Sequence, residues 1–144
     1  AHLLRPKADT RWLGFKEVRY EIGHFADADV MTDYLLFINA LLPGVRYVIN
    51  VRDPQAAARS GWWREHPDAV TALERSVEHL REAAGTLADV LGPGRVALTE
   101  YEQWSADPSI GVSALKSIGF PVQEALIRES LSTHLEHGQN SERP

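Results

Sequence analysis

Short apolar runs alternate along the chain with longer stretches in which apolar residues recur every three or four positions. The apolar runs predict strands over residues 12–20, 46–51 and 95–99. The helical spacing predicts helices over residues 29–42, 54–65, 68–91, 109–118 and 122–135. Strands and helices that alternate in this order are typical of βαβ units, so we expect an α/β domain with a parallel sheet.

Three of these segments carry the clearest patterns. The run over residues 46–51 is almost wholly apolar, as in a central parallel strand. The helix over residues 68–91 is amphipathic and is closed by Gly92. The helix over residues 29–42 places the following apolar residues at helical spacing: Val30, Tyr34, Phe37, Ile38, Leu41 and Leu42. These elements predict one domain over residues 1–137, followed by a polar tail over residues 138–144.

A sheet of only three strands is thin and leaves a strand edge exposed. Exposed edges favour pairing with another strand. We therefore expect that a homo-oligomer, or an N-terminal segment missing from this chain, pairs at the exposed sheet edge.

Composition narrows the classes of partner. With 144 residues, 44% of them hydrophobic, the chain suffices for one domain with its own core. The net charge of −5 and the scattering of the 15 Lys and Arg residues argue against nucleic-acid binding. The absence of cysteine excludes disulfides and agrees with a cytoplasmic protein. No apolar run approaches the ~20 residues of a membrane span. His134 and His137 have no evident third ligand, so no metal site is predicted.

The end of the second predicted strand indicates a phosphate site. Arg52 follows the strand directly and offers a planar fork of donors suited to a phosphate. Asp53 is the predicted N-cap of the next helix and Pro54 its first residue. Ser60 lies eight residues after Arg52, two turns into that helix, and can add a hydroxyl donor. The alternatives are a surface arginine and a serine that packs or bonds back to the preceding turn.

Arg52-Asp53-Pro54 followed by Ser60 resembles the 3′-phosphate-binding segment of sulfotransferases that use 3′-phosphoadenosine 5′-phosphosulfate (PAPS). Further segments resemble other parts of that family in the expected order: Trp12–Tyr20, Leu42–Val48, Leu98–Trp104 with Asp107-Pro108, and Ile118–Pro121. The resemblance implies a three-layer, P-loop NTPase-like parallel sheet flanked by helices. It also implies transfer of a sulfuryl group from PAPS to a hydroxyl or amine of a small-molecule or carbohydrate acceptor, without a metal.

The resemblance assigns roles to six residues. Arg52 and Ser60 would bind the 3′-phosphate of the cofactor. Lys16 would neutralise the sulfuryl group, and Glu17 would take the proton of the acceptor hydroxyl. Arg19 and His24 would contact the acceptor. The alternative for Lys16 and Glu17 is a solvated strand end, and for Arg19 and His24 an ordinary loop.

One part of the family pattern is absent from the sequence. The family begins with a strand and a phosphate loop of the type P-x-S-G-T-S/T, and nothing here resembles it. We therefore expect the domain to lack its first strand and phosphate loop, as the C-terminal part of a longer enzyme or as a short paralogue. A non-catalytic α/β binding module and a P-loop kinase are the competing hypotheses, the kinase being disfavoured because the chain has no G-x-x-x-x-G-K-S/T sequence.

The sequence also suggests roles for Trp62, Trp63 and Glu102. Trp62 and Trp63 follow Ser60 and either stack on an adenine or a sugar or pack in the core. Glu102 resembles the glutamate of a family segment after the third strand and is expected to brace the fold.

Overall fold

The structure is a computed structural model that describes residues 9–14 and 25–132. The described part is an α/β unit with a small parallel sheet and helices. The elements in chain order are α1 (Ala28–Leu41), β1 (Tyr47–Val51), α2 (Pro54–Ala58), a 3-10 helix (Gly61–Glu65), α3 (Ala69–Leu91), β2 (Val96–Glu100), α4 (Tyr101–Ala106), α5 (Pro108–Ser117) and α6 (Glu124–Ser132).

The sheet within the described ranges consists of β1 and β2 alone, paired in parallel with Tyr47 opposite Val96 and Val51 opposite Glu100. Most of the predicted strand over residues 12–20 lies outside the described residues, namely residues 15–20, and residues 12–14 have no regular secondary structure. The polar tail also lies outside them. Because both strands run in the same direction, their carboxyl ends meet at one edge of the sheet.

The main core lies on one face of the sheet. Apolar residues of α1, α3 and both strands form it: Met31, Leu35, Ile38, Ile49, Val51, Ala83, Ala84, Leu87 and Val96. On the opposite face, α5 packs against β2 and buries Val112. Asn50 and Thr99 also lie on that face, and the Thr99 hydroxyl donates to Asn50 Oδ1 at 2.9 Å. Helices therefore pack on both faces of the sheet, but on the α5 side Val48 and Asn50 of β1 stay exposed.

The apolar residues that follow helical spacing in α1 do not all lie in the core. Ile38 is buried, together with Met31 and Leu35. The other five residues at helical spacing are between 41% and 62% exposed: Val30, Tyr34, Phe37, Leu41 and Leu42. The reason is helical geometry, because Val30, Tyr34, Phe37 and Leu41 lie on a different side of the helix from the buried residues.

The predicted helix over residues 54–65 is wrong as a single element. α2 ends at Ala58, Ser60 has an extended backbone with φ −115° and ψ 149°, and a 3-10 helix begins at Gly61. Gly61 has a φ of 56°, in the left-handed region that glycine adopts readily. The helix α4, directly after β2, was not predicted. By contrast, the bounds predicted for α1, α3 and both strands agree with the structure to within one residue.

Candidate functional site

The carboxyl ends of β1 and β2 bring together residues that are about fifty positions apart in sequence. Arg52 follows β1, while Tyr101 and Glu102 follow β2 and open α4. The Arg52 guanidinium carbon lies 5.1 Å from the centre of the Tyr101 ring, a cation–π contact. Arg52 Nε lies 3.6 Å from Glu102 Oε1. The strand register, with Val51 opposite Glu100, is what makes these contacts possible.

Asp53 fixes the start of α2, as predicted. Its carboxylate accepts hydrogen bonds from the backbone N–H of Gln55 at 3.1 Å and of Ala56 at 3.3 Å. Pro54 is the first residue of the helix, as predicted. The backbone N–H groups at the start of α2 are therefore already bonded to a side-chain carboxylate of the protein.

Glu102 braces this corner, in agreement with the expectation. Its Oε2 accepts a hydrogen bond from the Asp53 backbone N–H at 3.1 Å, while its Oε1 faces Arg52. The side chains of Arg52 and Glu102 are 44% and 43% exposed. An ion pair with this exposure contributes little to stability, about 0–1 kcal/mol. It sets the direction of the guanidinium.

Ser60 contacts Arg52, although it does not lie in the predicted helix. Arg52 Nη1 donates to Ser60 Oγ at 3.4 Å, and Ser60 Oγ donates to the carbonyl of Ala57 at 2.8 Å. The bond of Ser60 back to the preceding turn, one of the alternatives stated from the sequence, is therefore observed, while phosphate binding by Arg52 and Ser60 stays a prediction. Since the Ser60 hydroxyl proton already has an acceptor, the hydroxyl has to rotate before it can donate to a ligand.

A cleft of about 660 Å³ adjoins Arg52, between the strand ends and α3. Two arginines, Arg52 and Arg81, line it together with six carboxylates: Asp53, Glu74, Glu78, Glu82, Glu100 and Glu102. Arg81 Nη2 donates to Glu100 Oε1 at 2.6 Å. The cleft is therefore acidic, and its field disfavours a fully ionised anion beside Arg52.

The other predicted site residues divide into two groups. Lys16, Glu17, Arg19 and His24 lie outside the described residues, as do His134 and His137. Trp63 is 9% exposed and packs in a second cluster with Ala69, Ala72 and Leu73, so it is a core residue. Trp63 therefore does not provide an open stacking surface at this site.

Tyr101 is a residue of this site to which the sequence alone assigned no role. Its ring covers the guanidinium of Arg52, and its edge also meets the ring of Trp104 at a centroid distance of 6.0 Å. The signal that could have found it is its position directly after a strand that is parallel to β1. Aromatic residues at such a position face the same edge of the sheet as Arg52.

No family model, curated protein or solved structure matches the chain. Among the residues that the structure describes, no group of three His, Cys, Asp or Glu side chains is arranged to hold a metal ion. None of the helices in the described ranges has the length and apolar character needed to span a bilayer.

Proposed function

We propose that the chain is part of a PAPS-dependent sulfotransferase with a P-loop NTPase-like sheet, and that Arg52 and Ser60 bind the 3′-phosphate of the cofactor. The observation that carries the proposal is the contact between Arg52 Nη1 and Ser60 Oγ at 3.4 Å. Arg52 at the strand end and Ser60, eight residues later, are in contact, so both can form hydrogen bonds with the same phosphate. The residues and segments that resemble the family support the same assignment.

The fit of a phosphate to this corner rests on the free hydrogens of the guanidinium. The Arg52 side chain is 44% exposed, so its contacts to Ser60, Glu102 and Tyr101 leave part of the guanidinium accessible to a ligand. Tyr101 covers the face of the guanidinium and limits its rotation. A phosphate therefore meets an arginine whose orientation is already restricted, which lowers the entropy lost on binding.

PAPS, when bound, supplies the activated sulfuryl group that passes to a hydroxyl or amine of the acceptor. In this proposal Arg52 orients the cofactor, and Ser60 turns its hydroxyl from the Ala57 carbonyl to the phosphate. Lys16 and Glu17 would neutralise charge and accept the acceptor proton, and Arg19 and His24 would contact a small-molecule or carbohydrate acceptor. Transfer of this kind depends on positioning and charge neutralisation.

The proposal is tested with adenosine 3′,5′-bisphosphate, the product nucleotide, by isothermal titration calorimetry. Arg52→Ala should weaken binding about 10- to 100-fold, because a hydrogen bond to a charged group contributes about 1.5–3 kcal/mol. Arg75→Ala is the matched control, since Arg75 is an exposed arginine on α3 that does not line the cleft. ATP, which lacks a 3′-phosphate, should bind more weakly. Equal binding by wild type and Arg52→Ala would overturn the proposal.

A non-catalytic binding module is the second candidate. The observations that favour it are the six carboxylates around the cleft and the bonds that hold Arg52 against Glu102 and Ser60. In that case Arg52 is a bracing residue. Wild type would then show no preference for the bisphosphate over ATP, and Arg52→Ala would lower the melting temperature without changing any nucleotide affinity.

A further inference from the structure

We propose that Glu102 makes the anion site selective for a protonated phosphate monoester, because its carboxylate accepts a hydrogen bond from the phosphate hydroxyl beside Arg52. This inference deepens the proposed function and rests on it for the position of the phosphate. It names the protonation state of the anion that this corner takes and the anion that it rejects.

Arg52 and Glu102 lie side by side without a hydrogen bond between them. Arg52 Nε and Glu102 Oε1 are 3.6 Å apart, slightly beyond hydrogen-bond distance, so Nε–H remains open to another acceptor. The Asp53 backbone N–H holds the other oxygen of Glu102 at 3.1 Å. The carboxylate is thus kept beside the guanidinium and is not free to turn away when an anion arrives.

The negative charge of Glu102 decides which anion can bind beside Arg52. An oxyanion that accepts Nε–H of Arg52 places one of its oxygens next to Glu102 Oε1. Two ionised oxygens at that distance repel each other, whereas a protonated phosphate oxygen can donate a hydrogen bond to the carboxylate. A phosphate monoester loses its second proton with a pKa of about 6, so the protonated form is accessible near neutral pH. Sulfate and sulfate monoesters are fully ionised there and have no proton to donate.

Other charged groups also face Glu102. Arg52 and Asp53 come from the end of β1 and the start of α2, and Asp53 is committed to capping α2. Glu100 at the end of β2 is bonded to both Arg81 and Gln103. On α3 the cleft-lining groups are Glu74, Glu78, Arg81 and Glu82. The surrounding field is therefore acidic, which further favours the less negative, protonated form of the anion.

The test measures the affinity for adenosine 3′,5′-bisphosphate between pH 6 and pH 8 by calorimetry, in two buffers of different ionisation enthalpy. If the complex holds the protonated phosphate, wild-type affinity falls by up to about tenfold per pH unit above the phosphate pKa, and binding at pH 7.5 takes up about one proton. Glu102→Gln should remove the proton uptake and reverse the pH trend. Glu78→Gln, which removes a cleft carboxylate with no ion pair to Arg52, should keep the proton uptake and the direction of the pH trend.

A second arm uses inorganic phosphate and sulfate, followed by the ¹⁵N–¹H signal of Arg52 Nε. Phosphate should shift this signal at lower concentration than sulfate in wild type, and Glu102→Gln should lose the preference. If the bisphosphate fails to bind while phosphate keeps its preference over sulfate, the inference stands and the proposed function fails. If the bisphosphate binds through Arg52 with no pH trend or proton uptake, the proposed function stands and the inference is overturned. Binding of neither ligand overturns both.

Discussion

Arg52 is held by contacts from three residues in two separate parts of the chain, and each contact restricts a different motion of its guanidinium. Glu102 lies beside Nε, Ser60 accepts from Nη1, and Tyr101 covers the face. The position of Arg52 after a buried strand was visible in the sequence, because the apolar run stops there. The contacts of Tyr101 were not, since they depend on the register of two strands about fifty residues apart.

The role of Tyr101 predicts different outcomes for two substitutions. Tyr101→Phe keeps the ring over Arg52 and should leave the affinity for adenosine 3′,5′-bisphosphate unchanged. Tyr101→Ala removes a cation–π contact of about 0.5–1 kcal/mol at an exposed site, so affinity should fall about two- to fivefold. Calorimetric titration of both variants measures the difference. Equal affinities for the two would show that the ring does not position the arginine.

Two glycines inside helices should respond to alanine in opposite directions. A Cβ on Gly111 in α5 would lie 2.9 Å from Trp104 Cε3, so Gly111→Ala forces the indole to move and should destabilise the protein by about 1–3 kcal/mol. A Cβ on Gly85 in α3 meets no atom within 4 Å. Gly85→Ala should therefore stabilise by about 0.5–1 kcal/mol. Urea unfolding measures both, and a stabilised Gly111→Ala variant would contradict the packing of α5 on Trp104.

At the scale of elements, the predicted bounds of a helix are correct where several sequence signals agree. They are wrong where the backbone conformation at one position breaks the helix. In α3 the amphipathic pattern, its length and Gly92 all point to the same end, and the helix stops at Leu91. The helix predicted over residues 54–65 breaks because the backbone is extended at Ser60 and left-handed at Gly61. α4 was not predicted because the alternating apolar residues before and after Glu100 resemble a strand that continues into a turn.

The start of α5 predicts a pH dependence of stability. The Asp107 carboxylate accepts the Ser109 backbone N–H at 3.0 Å, and hydrogen bonds from the side chain and backbone of Ser109 hold the pKa of Asp107 below its ordinary value of 3.8. A carboxylate with a lowered pKa in the folded state stabilises the fold above its unfolded pKa. This contribution is lost as the pH falls through the folded pKa.

Asp107→Ala should therefore melt at a lower temperature than wild type at pH 7, and the gap should narrow from about pH 4 downwards. Asp107→Asn is the matched control, because asparagine also caps helices but does not titrate in this range. Its advantage over Asp107→Ala should stay constant with pH. Calorimetric melting temperatures from pH 3 to pH 7 provide the comparison, and a pH-independent gap between wild type and Asp107→Ala would refute the account.

For the whole molecule, the sequence predicted the α/β class and the parallel pairing but not which side of α1 faces the core. Apolar residues lie on two sides of this helix, so periodicity alone does not choose between them. The structure buries Met31, Leu35 and Ile38 and leaves an exposed flank of α1, formed by Val30, Tyr34, Phe37 and Leu41. On the opposite side of α1, Asn39 accepts a hydrogen bond from Arg95, which precedes β2.

The outer edge of β1 is a second exposed feature of the described residues. Tyr47 N–H donates to Arg95, so the backbone groups of Val48 and Asn50, the alternate residues, point away from β2. The described residues thus contain both an exposed apolar helix flank and an unpaired strand edge, and both are features that promote association.

Substitutions on α1 should separate association from stability. Phe37 is 58% exposed, so Phe37→Ser should leave the free energy of unfolding within about 0.5 kcal/mol of wild type and weaken concentration-dependent association in sedimentation velocity. Val48→Lys, at a side chain that is 47% exposed on the strand edge, should have the same two effects. Leu35→Ala, at a buried position, should instead cost about 2–5 kcal/mol. If Phe37→Ser destabilises as strongly as Leu35→Ala, the flank is packed within the monomer, because only a covered side chain costs that much to remove.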